Sequence, residues 1–138
     1  MRRPIFAAAL GLVLSPGLAG AAALAPEIFE AMSEGRTLYF SRDGADYGAE
    51  QYFPGRRALW RYADGACVWG RWFPRDGLIC FDYDGADGAD GPQCWNFQGD
   101  GSSFSAALIE DGAPSGLLIH LSGADTRPLD CPGPGVGS

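Results

Sequence analysis

Asp-Gly pairs recur at 64–65, 76–77, 100–101 and 111–112 and cut the later chain into runs of hairpin length. Asp-Gly is a strong hairpin signal because both central residues of a type I′ turn need positive φ. The intervening runs are short, aromatic and β-branched, bounded by Gly, Pro and Asp, which is an all-β signature. They predict strands near 36–41, 49–53, 57–62, 67–73, 78–83, 93–97, 103–109 and 116–121. Ahead of them, Pro26 to Glu34 sets Ile28, Phe29 and Met32 on one side and acids on the other, closed by Gly35. That pattern predicts one short amphipathic helix. The expected fold class is mainly β: an antiparallel meander of seven to eight strands forming a small barrel or a strongly twisted sheet, with the helix packed at one end.

Turn chemistry and cysteine spacing give an expected register. Centring a hairpin on Asp64-Gly65 sets Tyr62 opposite Cys67 and Trp60 opposite Trp69. In Phe73-Pro74-Arg75-Asp76-Gly77-Leu78, Pro74 starts a type I turn and Gly77 takes the left-handed position after it. Pairing Cys80 with Cys94 across the longer link brings Ile79 to Trp95 and Phe81 to Gln93. Alternation then puts Val68 and Trp72 on the face of Ile79, Phe81 and Tyr83, joined by Trp95 and Phe97. The opposite face carries Cys67, Trp69, Arg71, Cys80, Asp82 and Cys94.

The first residues read as an address. Arg2 and Arg3 precede an apolar run from Ile5 to Leu14, Pro16-Gly17 breaks it, and small residues follow to Ala25. This is the layout of a secretory signal peptide over 1–23, leaving a single domain over 24–138. A spanning helix needs about 20 uninterrupted apolar residues, and no later stretch supplies them. In an exported small domain the four cysteines read as two disulfides, Cys80–Cys94 and, by remainder, Cys67–Cys131. The spacing has no C-x-x-C for metal, haem or thiol exchange, so no metal and no cofactor is expected. A net charge of −7 with no Lys argues against nucleic acid and anionic lipid as partners. Abundant Ala, Gly and Arg suggest a GC-rich bacterial source, which makes the expected compartment the periplasm.

The run Gly35-Arg36-Thr37-Leu38, Tyr47-Gly48-Ala49-Glu50-Gln51-Tyr52, Pro54-Gly55-Arg56-Arg57, Trp60, Cys67, Gly70-Arg71-Trp72, Ile79-Cys80-Phe81, Cys94-Trp95 and Cys131-Pro132-Gly133-Pro134 resembles a family of small exported alphaproteobacterial proteins without an assigned activity. The resemblance covers nearly all of the exported part. It implies a shared fold and an exported location, and it carries no catalytic residue across.

Candidate sites come with plain alternatives. Aromatic residues between Tyr39 and Trp72 are interleaved with Arg36, Arg42, Arg56, Arg57, Arg61 and Arg71. Aromatic faces beside guanidinium groups suit planar or anionic small molecules, sugar rings or a protein partner; the alternative is a core with arginines outside. From this stretch Glu50, Tyr52, Arg57, Trp60, Trp69 and Arg71 are the candidate ligand-binding residues. Glu50 has Arg56, Arg57, Arg61 or Arg71 as a possible ion-pair partner, and Glu110 as a possible second acid for glycoside hydrolysis. His120 is the single histidine, and no G-x-S-x-G surrounds any serine. Counted from Asp82, the chain departs from an EF-hand loop at Ala86, Asp87 and Gln93, the fifth, sixth and twelfth positions. The sequence therefore points to an exported, soluble, non-enzymatic binding module of the bacterial envelope. The alternative is an inhibitor or accessory subunit of a periplasmic enzyme, and the third reading is a small hydrolase.

Overall fold

A computed structural model describes residues 22–132. The signal-peptide reading falls outside that range except for Ala22 and Ala23, as does the end of the tail, 133–138. One helix and eight strands follow in chain order: α1 Pro26–Ser33, β1 Thr37–Arg42, β2 Ala45–Phe53, β3 Arg57–Tyr62, β4 Cys67–Arg75, β5 Leu78–Tyr83, β6 Gln93–Gly99, β7 Phe104–Glu110 and β8 Ala113–Asp125. Every strand pairs antiparallel with the next, and β1 pairs with β8, so the meander closes into a barrel. Closure leaves no unpaired edge for another chain to extend.

The helix stoppers one end. Phe29 is fully buried, with its ring edge-on to Tyr52 and Trp72 at centroid distances of 5.4 and 5.0 Å. Phe97 and Phe104 complete the nest at 5.0 and 6.4 Å. Each such pair contributes about 0.5–1.5 kcal/mol beyond simple burial. Arg56 clamps the helix from outside, paired with Glu30 at 3.0 Å and lying 4.8 Å over the Trp72 ring. Just before the helix, Ala23 bridges Gln98, and the Leu24 N–H donates to the Phe97 carbonyl at 2.8 Å.

Both expected disulfides are present, Cys80–Cys94 and Cys67–Cys131. The first joins directly paired residues, with Ile79 facing Trp95 and Phe81 facing Gln93 as the alternation requires. The second ends a strap. After β8 the chain runs back over the barrel's outer face: Thr37 Oγ1 donates to the Arg127 carbonyl at 2.6 Å, and the Leu129 N–H to Gln51 Oε1 at 2.9 Å. Trp69 Nε1 then donates to the Pro132 carbonyl at 3.4 Å, beside the Cys131 anchor.

Two turns correct the sequence reading. At 64–65 only Gly65 has positive φ, so the β3–β4 connection is not type I′. Asp64 instead accepts the Ala66 N–H on its carboxylate at 2.9 Å. The register moves by one residue: Leu59 faces Trp69, and Trp60 faces Val68. A one-residue slip reverses every side chain of β3 relative to β4, so Trp60, expected on the outer face opposite Trp69, points inward, while Trp69 stays outside as expected. Between β4 and β5, Asp76 (φ 52°) and Gly77 (φ 76°) both lie in the left-handed region, making that turn type I′. Pro74 therefore pairs with Ile79 inside the ladder and is not a turn residue.

Candidate functional site

The end opposite the helix is where the barrel is hollow. On β2, alternation directs Gly48, Glu50 and Tyr52 inward. The β1–β2 ladder pairs Phe40 with Gly48 but Ser41 with Asp46, leaving Tyr47 as an extra residue in β2. A bulge re-aims side chains, and Tyr47 joins the wall of the same cavity as Glu50. Two inward glycines make room for the large rings. A Cβ at Gly48 would collide with the Trp60 ring, and one at Gly70 would sit 2.8 Å from the Tyr83 ring and 2.6 Å from the Asp82 carbonyl.

The space left has a volume of about 90 Å³ and is bounded by Phe40, Tyr47, Trp60, Tyr62, Tyr83 and Trp95, with Glu50 in its wall. Gln93 stands exposed at its rim. Glu50 is only 3% exposed. Tyr52 Oη donates to its Oε2 and Tyr83 Oη to its Oε1, each at 2.8 Å. Burial pushes the Glu50 carboxyl up to about 7, against the opposing pull of these two hydrogen bonds. Burial, followed by the negative charge of Glu50, holds the Tyr52 and Tyr83 phenols well above the ordinary tyrosine range. Both therefore remain protonated donors.

The structure divides the six sequence candidates. Glu50, Tyr52 and Trp60 lie within the barrel, whereas Arg57, Trp69 and Arg71 lie on its outer face. Arg57 sits over Trp69 at 5.0 Å and Phe53 at 5.8 Å, and it faces Arg71 across the β3–β4 pair. The expected Glu50–arginine pair is not formed: tyrosines hold Glu50, while Arg56 serves Glu30. Glu110 lines a separate groove with Asp76 and Asp90, so it is not a second acid for Glu50. His120 is exposed on β8. All four cysteines are in disulfides. Among the described residues no group of three His, Cys, Asp or Glu is placed to hold a metal ion.

Sequence reasoning put Tyr83 on the inner face but did not join it to Glu50, and it left Tyr47, Tyr62 and Trp95 out of the site. The missing link was closure. Glu50 and Tyr83 lie on β2 and β5, which are not paired with each other and meet only across the barrel interior. The signal for the Tyr47 bulge was Gly48 beside it, a lone glycine inside a strand.

No protein family, curated protein or solved structure matches this chain.

Proposed function

We propose that this protein is an exported, non-enzymatic binding module of the bacterial envelope that takes a small ligand into the hollow end of its barrel. The observation that carries this reading is Glu50. Burying a carboxylate costs free energy unless it is paired, and among the described residues lining the cavity there is no cation. Apolar side chains at 50, 52 and 83 together would fill the lumen without that cost, so the acid and the two phenols that hold it are explained by something that enters. Eight strands is also the size at which a barrel either fills with its own side chains or holds one small ligand.

Two disulfides fit an oxidising compartment, and with the export reading they favour the periplasm. Among the described residues no helix is long and apolar enough to cross a membrane. The distribution of polarity supports a soluble barrel: aromatics fill the inside, while Arg57, Arg71 and His120 are exposed outside. Lipid-facing barrels have the reverse arrangement, an apolar band outside and a polar interior.

The test compares tryptophans inside and outside. Indole N–H resonances are recorded for the full-length exported protein before and after addition of the small-molecule fraction of its own periplasm, with native mass spectrometry of the retained species. The expected result is a retained small molecule that shifts Trp60 and Trp95 and leaves Trp69 in place. A response confined to Trp69 would move the site to the outer face, where an inhibitor or accessory subunit would dock. Bare protein with no shift would overturn the reading.

A further inference from the structure

Resting on the cavity reading above, we infer that the ligand is a small organic cation bearing a methylated ammonium group, held between the Glu50 carboxylate and the faces of Tyr47, Trp60, Tyr62 and Tyr83. Charge gives the first reason. A carboxylate is the sole ionisable group other than phenols among the described lining residues, and the chain as a whole carries −7. Both disfavour anions and draw cations toward the mouth.

Hydrogen-bond capacity gives the second reason. Each Glu50 oxygen already accepts a phenol proton, which leaves about two of the carboxylate's four acceptor sites. A primary ammonium brings three donors that all need acceptors, whereas a quaternary ammonium brings none and needs only charge and polarisable surface. Aromatic faces supply that surface, since ring quadrupoles attract cations most strongly where water is excluded. A hard metal cation is the poorer match, because calcium takes 6–8 oxygen ligands and magnesium requires a near-octahedral shell.

Size gives the third reason. A dry cavity of roughly 150 Å³ accommodates benzene, so at the same packing the 90 Å³ present here takes about four heavy atoms. A trimethylammonium head has that size, with its substituent leaving past exposed Gln93.

The cation must also displace a proton. Glu50 faces Tyr47 and Tyr52 from β2, Tyr62 from β3 and Tyr83 from β5, with no other charged group among the described lining residues. With the carboxyl titrating at about 7, its ionised fraction changes about tenfold between pH 6 and pH 8.

The experiment titrates full-length exported protein with choline chloride and with its uncharged carbon isostere, 3,3-dimethylbutan-1-ol, at pH 6 and pH 8, reading the Trp60 and Trp95 indole resonances. The expected outcome is choline binding about tenfold or more tighter than the alcohol at pH 8. Choline should weaken about tenfold at pH 6 while the alcohol does not change. Glu50→Gln should remove the preference for choline; if that variant fails to fold, the two-pH comparison in the native protein decides alone. Equal affinities for the two probes would overturn the cation assignment and leave the cavity reading standing. So would silence from both probes when a periplasmic molecule still shifts Trp60 and Trp95. Silence from the probes and from the periplasmic fraction would remove both.

Discussion

The two ends of this barrel are built from the same materials and finished differently. At the helix end Phe29 fills the lumen and touches aromatic rings on β2, β4, β6 and β7. At the other end the rings of Tyr47, Trp60, Tyr62 and Tyr83 stand around a space, and the group that reaches into it is a carboxylate. One end maximises packing; the other gives up packing and buries a charge. Stability and binding should therefore separate along the barrel axis.

The largest expected effect tests the packed end. Phe29→Ala removes the ring at the centre of the plug and should destabilise the fold by about 3–5 kcal/mol, read as a shift in the urea midpoint. Tyr47→Ala at the mouth, where the ring is half-exposed, should cost about 1 kcal/mol or less by the same measurement. Equal losses would mean that the mouth is as tightly packed as the plug, and the division between the ends would fail.

That division was partly legible in the amino-acid sequence. Alternation in β4, β5 and β6, tied together by Cys80 and Cys94, placed Val68, Trp72, Ile79, Phe81, Trp95 and Phe97 on one apolar face, and all of these are buried. Strand positions were legible because Asp-Gly and Pro-Gly punctuate them. Facing across 62–67 was misread, because Asp-Gly supports both a type I′ turn and a turn with a single left-handed glycine, and the two differ by one residue of register. That single residue brought Trp60, expected on the outer face beside Trp69, into the cavity wall. Contacts through the lumen, such as Glu50 with Tyr83, depend on curvature and closure, which pairing patterns in sequence do not encode.

The second effect belongs to the hollow end and is a pH dependence. Unfolded, the Glu50 carboxyl ionises near 4.5; folded, it holds its proton to about 7. Across that window the unfolded chain releases a proton that the folded chain keeps, so stability falls as pH rises and levels off on either side. At about 1.4 kcal/mol per unit the loss is about 3 kcal/mol. Glu30, Asp100 and Asp125 are held below the ordinary carboxylate range by their hydrogen-bond partners. What they contribute is lost as pH falls through the acid region, a separate window. Denaturant midpoints between pH 4.5 and 7.5 should show the fall in the native protein and a flat line in Glu50→Gln. A slope unchanged by the substitution would place the titration elsewhere and remove the reason for treating Glu50 as an acid kept for a ligand.

The smallest structural change is the sharpest test of the hollow end, because it adds one carbon. Gly48 has ordinary extended backbone, so alanine brings no conformational strain there, and its cost comes from the Trp60 ring lying against it and from the Arg61 carbonyl 2.9 Å from the new Cβ. To admit a methyl group the indole must swing into the cavity, a repacking that costs about 1–3 kcal/mol and occupies the space proposed for the ligand. Gly123→Ala is the control, since its Cβ would meet only Tyr39, at an ordinary 3.8 Å. That change should be neutral, or stabilise by up to about 1 kcal/mol through the unfolded chain. Gly48→Ala should therefore lose ligand response at Trp60 and Trp95 while remaining folded, and Gly123→Ala should keep both. If Gly48→Ala binds as the native protein does, the glycine is not holding the cavity open, and the mouth is a looser copy of the plug.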